Sequence, residues 1–533
     1  MLFYSPVFST EKKNKAKPVI RKTAAAAAVF LSLTSFCACS NINSLSSGES
    51  KSSSHVHENG GVAIFFPSDG KTQGQNAPLN KWSSLAADLK PELEQNGFDK
   101  EHAEISTADS RSEQLSQVKK YLTGIGVKID GSGQTDNFDG KSVILVISVA
   151  NKNENSEIRR FGDYIPEENN SDPNSCSGSD CFESEMKNVL NAAKNAGIKI
   201  IEVGSDLDGF IPTMKVEMPS AYEIGQTQAQ QIILKLNADA ASESAPVSVE
   251  VLLPETQNES FDSQYFDGIW SIFKPYFQSG KMFSPSGLLT KDSTEDDKEK
   301  ISYDVSKDSN VFDALTSRLE NASKINGVEH AKLDALLTAN DFAAREAIKT
   351  LKNMGYSGSS SSINPNLSIS SIIESLRGLK DVNKSKVPAP AESRSGNSQD
   401  NSDNSDNSDN SGNSDSYNKN SFKFKVTDSS KWPLVTGYGA YKSMGASIVN
   451  GSQWATMLEN RKQYASGIAN VCAYFYHGQS FSQIESEEPD ITIEKASDED
   501  ILKLYYPLMV VSASNLKSKL IDSQYISAAD AGL

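Results

Sequence analysis

The stretch "ESEMKNVLNAAKNAGIKIIEVG", residues 183–204, decides how the rest of the chain is read. It gives a helix, a glycine stop and then a strand, one unit of an alternating α/β pattern. Upstream the same theme runs back to residue 61. "GVAIFF" (61–66) is a short buried strand, and "WSSLAADLKPELEQNG" (82–97) carries apolar positions at helical spacing before ending on Asn-Gly. "AEISTAD" (103–109) is the next strand, "RSEQLSQVKKYLTGIG" (111–126) a helix and "KSVILVISVA" (141–150) a strong strand. Repeated β-α units joined this way imply a parallel sheet with helices on both faces.

Downstream the theme restarts. "AYEIGQTQAQQIILKLN" (221–237) is helical, "PVSVEVLLP" (246–254) is a strand and "FDGIWSIFKPYFQSG" (266–280) is a helix. "KLDALLTAND" (332–341) leads by strand and turn into the helix "FAAREAIKTLKNMGY" (342–356). Two similar α/β halves therefore follow one another. Between 357 and 430 the pattern fails, around the low-complexity run "DNSDNSDNSDNSGNSDS" (400–416), which has nothing to bury and is expected to be disordered. That run does not combine a glycine and a terminal glutamate at the spacing of a calcium loop. The α/β pattern resumes with "WPLVTGYG" (432–439), "AYKSMGASIVNG" (440–451), "QWATML" (453–458), the helix "NRKQYASGIANVCAYFYHG" (460–478) and a terminal strand and helix within 505–527.

The N-terminus is a targeting signal. Lys12, Lys13, Lys15, Lys17, Arg21 and Lys22 form a basic region before the apolar "TAAAAAVFLSLTSF" (23–36), which is short for a bilayer span. Cys39 follows the small Ala38 and is the candidate lipidation site; an ordinary secretory signal cleaved nearby is the alternative. Residues 40–59 read as a Ser-rich tether. The pair His55 and His57 lies within it and reads as solvated linker. Among the remaining cysteines, Cys176 and Cys181 can close a small disulfide loop in an oxidising exterior or stay reduced, and Cys472 reads as a buried free thiol.

The formal net charge of −17 over 533 residues, with no basic block after the signal, argues against a nucleic-acid partner. Five histidines, no Ser-His-Asp order and no Walker loop argue against an enzyme, and no cofactor or metal site is indicated.

Six segments carry a family resemblance: "GVAIFFPSDG" with Trp82 after it, "GIKIIEVGSDL", "VLLPETQNESFDSQYFDGIWSIFKPYFQSGKM", "ALLTANDFAAREAIKTLKNMGY", "PLVTGYGAYKSMGASIVNG" and "PLMVVSASNLKSKLIDSQY". In this order they resemble the type I periplasmic binding proteins of ABC transporters, in particular the xylose and multiple-sugar-binding receptors. The resemblance implies an α/β fold of two Rossmann-like lobes with parallel sheets joined by a three-segment hinge, and a ligand in the cleft between them. It places lobe one at 60–205 and 438–500, and lobe two at 206–437 and 501–533, with the low-complexity insertion at 357–430. It also implies a sugar or sugar-like ligand, ABC permease subunits as partners and, with the signal at 1–39, a lipid-anchored extracytoplasmic location. The alternative is a surface sensor or structural protein that keeps the fold.

A sugar needs aromatic faces for its C–H surfaces and planar polar side chains for its hydroxyls. The positions that match family contact regions are Phe66 and Trp82 in lobe one and Asn258, Asp262, Asn340 and Asp341 in lobe two. For Asn340 and Asp341 the competing role is helix N-capping, and for Trp82 it is packing in the first helix. Where the family commonly has Gln-Asp, this chain has Tyr438 and Gly439; where it often has an Arg after an Asp, "GSDLDGF" offers Asp206 or Asp208; where it often has a Lys, Leu458 stands. These departures suit a ligand that is less hydroxyl-rich than a free monosaccharide, or larger, with Tyr438 as an added face.

Overall fold

In the computed structural model the described residues are 61–69, 79–99, 101–129, 143–150, 181–204, 206–256, 259–307, 309–360 and 425–533. Lipidation at Cys39, the tether, the Cys176–Cys181 pairing and the low-complexity run fall outside them.

The first sheet is built from alternating residues. In β1 (Gly61–Pro67) Val62, Ile64 and Phe66 face one side, while Ala63 and Phe65 face the other, as the two-residue period of a strand requires. Both sets are buried, the mark of a parallel strand covered on two faces. The sheet adds β2 (Ala103–Ala108), β3 (Val143–Ile147), β4 (Lys199–Val203), β5 (Met214–Glu217) and the hairpin β12 (Ile491–Ala496) and β13 (Glu499–Tyr505), in the order β12-β13-β5-β4-β3-β1-β2. Only the β12–β13 pair is antiparallel. Helices α1 (Trp82–Gln95) and α10 (Arg461–Tyr476) cover one face, and α2 (Arg111–Gly124) and α3 (Cys181–Asn195) the other.

The second sheet has the order β14-β11-β10-β9-β6-β7, with β8 beside β6. Its strands are β6 (Val247–Glu255), β7 (Met282–Phe283), β8 (Ser302–Asp304), β9 (Ala335–Thr338), β10 (Leu434–Tyr438), β11 (Ala455–Leu458) and β14 (Met509–Ser512). All pairs are parallel except β11–β14. Four helices supply its main core: α4 (Ala221–Leu236), α5 (Glu259–Gln278), α7 (Ser309–Asn326) and α8 (Asp341–Asn353). The described residues also form three short helices: α6 (Lys298–Ile301) and α9 (Gly445–Val449) in the second lobe, and α11 (Phe481–Glu487), whose Ile484 is buried in the first lobe's core.

The chain is thus an α/β protein of two lobes, each on a parallel-dominated sheet, and its described residues pass between them three times. It leaves the first sheet at Glu217 and enters α4 at Ala221; it returns from Leu458 to Arg461; it crosses again from Tyr505 to Met509. The lobe limits expected at 205, 437 and 500 are corrected accordingly. β5 is a four-residue strand with two buried side chains and belongs to the first sheet. β10 and β11 extend the second sheet through parallel pairing with β9, and β13 pairs with β5.

Tyr464 ties the three crossings together. It is fully buried, its hydroxyl lies 2.8 Å from the Glu217 carbonyl and 3.0 Å from the Tyr506 carbonyl, and it accepts from the Tyr506 N–H at 3.1 Å. A capping box begins α4: Ser220 Oγ accepts from Glu223 N–H at 3.3 Å and Glu223 Oε2 accepts from Ser220 N–H at 2.7 Å. Glu223 Oε1 also accepts from Tyr505 Oη at 2.6 Å, so the first crossing is pinned to the third.

The ends of the insertion meet. Ser357 N–H donates to Ser430 O at 2.8 Å and Trp432 N–H to Ser357 O at 2.9 Å, while Val426 is buried in the second lobe and Lys332 N–H donates to Thr427 O at 2.9 Å. The foreign segment is therefore narrower than 357–430, because 357–360 and 426–430 are held by the lobe. Deleting 361–424 through a short Gly-Ser linker is expected to leave the melting temperature near that of the parent, since its composition cannot repay ordering entropy. Deleting 356–430 removes the buried Tyr356 and Val426 as well and is expected to cost about 2–5 kcal/mol. Paired thermal melts check both.

Candidate functional site

All three crossings start from the carboxyl ends of strands β5, β11 and β13. The carboxyl ends of both sheets therefore face the crossing region, where open parallel sheets bind their ligands.

From the first lobe come Phe66 at the end of β1 and Trp82 at the start of α1. Their rings pack with centroids 5.1 Å apart at 42°. Both are buried, and Trp82 reaches toward Gly204 at the end of β4, where an added Cβ would stand 3.5 Å from its Cη2. Gly204 itself sits at φ 60, a conformation that suits glycine. Asp206 follows in the loop, exposed and paired with Lys215 Nζ at 2.9 Å. That loop is held from beneath by buried Glu202, whose Oε1 accepts from Leu207 N–H at 3.0 Å.

From the second lobe come four of the expected residues. Asp262 is buried after β6 and accepts from Thr256 N–H at 2.7 Å and Thr256 Oγ1 at 2.8 Å; burial pushes its carboxyl up to about 6. Asn258 lies outside the described residues. Asn340 Oδ1 caps α8 by accepting from Ala343 N–H at 2.8 Å, the local role that Asn favours at this position. Asp341 is fully buried. Its Oδ2 accepts from Tyr441 N–H at 2.9 Å and its Oδ1 from Gln453 Nε2 at 2.6 Å, tying the end of β9 to the β10 turn and to the start of β11. Burial raises this carboxyl to about 7 against those hydrogen bonds.

Tyr438, at the end of β10, is buried and donates from Oη to Glu459 Oε1. Glu459 lies in the second crossing, is also fully buried, and has its carboxyl raised by desolvation. Asn80, from the first lobe's β1–α1 connection, donates from Nδ2 to Glu459 Oε2 at 2.5 Å and to the Glu459 carbonyl at 2.9 Å. Arg461 opens α10, donates from Nε to Asp88 Oδ2 at 2.6 Å and from Nη1 to Leu79 O, and lays its guanidinium over the Tyr525 ring at 4.7 Å.

The structure brings Phe66 with Trp82, Asp341 with Gln453, and Tyr438 with Glu459 and Asn80. It places Asp206 apart, at the rim. Asn80, Gln453, Glu459 and Tyr464 carry no motif in the sequence; the nearest signal was the departure at Leu458, one residue before Glu459.

Among the described residues no group of three or more His, Cys, Asp or Glu side chains is placed to hold a metal ion, and no helix is long and apolar enough to cross a membrane. A cavity of about 330 Å3 lined by Glu320, Lys324, Glu329, His330 and Tyr356, among others, opens at the amino ends of the second-lobe strands, on the far side from the crossings.

No family model and no curated protein matches the chain. Solved structures similar to it include a solute-binding protein of an ABC transporter from Clostridium phytofermentans with bound β-D-glucose, at 15% identity and a TM-score of 0.45 over 88% of this chain and 99% of that one. Another is a carbohydrate transporter solute-binding protein from Chloroflexus aurantiacus with D-glucose, at 16% identity and a TM-score of 0.44 over 88% and 97%. A third is a Caulobacter myo-inositol binding protein with myo-inositol, at 11% identity and a TM-score of 0.40 over 87% and 96%.

Proposed function

We propose that this chain is an extracytoplasmic solute receptor. It binds a sugar or sugar-like solute between its lobes, delivers it to an ABC permease and is held at the membrane through lipidated Cys39. The observation that carries the reading is the convergence of both sheets' carboxyl ends on three crossings tied by Tyr464. That layout gives one solute access to both lobes and lets binding bias a hinge. The resemblance of the six sequence segments and the signal at 1–39 support the transport and anchoring parts.

In this reading the direct contacts fall to rim groups such as Asp206 and to Asn258. Phe66, Trp82, Asp262, Asn340, Asp341 and Tyr438 shape the walls from behind, a division supported by the burial and protein partners of all six. The same burial favours a second reading, a sensor or structural partner that keeps the fold without closing on a small solute.

A thermal-shift panel separates the two, because a ligand that binds only the folded state raises its melting temperature. At a concentration one hundred times Kd the receptor reading expects stabilisation of about 2.7 kcal/mol by at least one pentose, hexose, disaccharide or cyclitol, confirmed by titration calorimetry. No shift across the panel favours the second reading.

A further inference from the structure

We propose that Leu79 and Asn80 form a strap from the first lobe that seats on the second and holds the lobes together with no solute bound. Both residues precede α1, whose Leu85, Leu89 and Leu93 are buried in the first lobe's core. Leu79, however, packs in a different cluster, with Ala440, Leu458, Met509 and Tyr525 among its members, which belong to the second lobe's strand ends and the C-terminal segment. Its N–H donates to Gly439 O at 2.9 Å, at the turn after β10.

Asn80 continues the seat. Its amide donates to both the backbone carbonyl and the carboxylate of Glu459, and Glu459 is held on its other oxygen by Tyr438 of the second lobe. Leu79 and Asn80 are 5% and 2% exposed, so the strap is inserted and not merely draped. Arg461 locks it from the first-lobe side by donating to Leu79 O while paired with Asp88 of α1.

Each bond satisfies a buried polar group that would otherwise be costly, and none needs a solute. Glu459 gives the strap its specificity. A carboxylate buried this deeply needs its donors, and Asn80 is the donor that the first lobe contributes. The strap therefore works against opening in a receptor and in a sensor alike; it does not depend on what the cleft binds.

Two measurements on the solute-free protein test it. Hydrogen exchange should show the Leu79 amide protected with no sugar present. Asn80→Ala should speed its exchange by at least tenfold, about 1.4 kcal/mol, with the β1 and α1 amides unchanged. Spin labels introduced by Lys120→Cys and Lys324→Cys, with Cys176 and Cys181 changed to serine, should report one inter-lobe distance. A longer population should appear with Asn80→Ala. An unprotected Leu79 amide in the solute-free parent overturns the strap, as does an unchanged distance distribution in Asn80→Ala. Equal loss of protection across β1, α1 and Leu79 overturns it too, because the residue then supports the first lobe and not the contact between lobes. A missing thermal shift in the solute panel, by contrast, bears on the receptor reading alone.

Discussion

Gly268→Ala is expected to lower stability by about 3 kcal/mol or more, the upper part of the range for overpacking a closely fitted core. Gly268 sits on α5 where that helix crosses α4, and an added Cβ would lie 2.0 Å from the carbonyl oxygen of Tyr222 and 2.9 Å from the Gln226 nitrogen. Its counterpart Gly225 on α4 is no better placed, with Tyr265 O at 2.2 Å from its added Cβ. The obstacles are backbone atoms, so no rotamer change relieves them, and the two helices have to move apart. Separation would open the fully buried layer of Tyr265, Phe266, Ile269 and Trp270. Gly124→Ala at the end of α2 is the control: an added Cβ there meets nothing within 4 Å, and the change should be neutral or gain about 0.5–1 kcal/mol. Guanidinium unfolding of the three proteins checks the ordering; a Gly268→Ala midpoint equal to the parent's contradicts the crossing.

Asp341 should give the lobe a distinct pH dependence. Its carboxyl is raised from 3.8 to about 7, with burial the main cause and the bonds from Gln453, Thr456 and Tyr441 opposing it. The folded state thus holds this proton more tightly than the unfolded chain does. Its contribution is fully present below about pH 4 and declines as pH rises through about 7. Between pH 4.5 and 7.5 the decline is about 3 kcal/mol at 1.36 kcal/mol per pH unit. Asp341→Asn cannot titrate, so the stability difference between parent and variant should shift by that amount across the interval, in favour of the variant as pH rises. Asp341→Ala should instead cost about 2–4 kcal/mol near pH 5, because it leaves Gln453 Nε2 and the Tyr441 N–H short of an acceptor. Denaturant titrations at pH 4.5, 6 and 7.5 measure all three; a pH-independent difference between parent and Asp341→Asn removes the assignment of the proton to this carboxyl.

The elements legible in advance were those whose pattern is local. "KSVILVISVA" contains β3, "AYEIGQTQAQQIILKLN" contains α4, and the helix after "ALLTAND" begins where Asn340 can cap it. β5 escaped because "MKVE" shows only two buried residues, too few to establish a period. The β12–β13 hairpin escaped because its turn holds Ser497 at φ 57 without the glycine or asparagine that announces such turns. Without β5 and β13 the limits at 205 and 500 fall too early, and the limit at 437 does so because β10 and β11 continue the second sheet. α7 lies between two stronger signals, with Val311, Leu315, Leu319 and Ala322 on its buried side.

The amino-acid order by itself determined the alternation of strand and helix, the doubly buried character of β1 and β3, the capping of α8, and the foreign composition of the middle segment. Each depends on residues within a few positions of one another, where periodicity, side-chain reach and capping chemistry act directly. Only the tertiary structure decided the rest: which strand ends face the crossings, that Tyr464 joins all three, and that Asn80 meets a glutamate 379 positions away. A buried polar group takes whichever donor or acceptor the packed lobes bring to it, and no local pattern records that choice. The same reason turns Asp341 and Tyr438, which as isolated residues suit a ligand, toward Gln453 and Glu459 of their own chain.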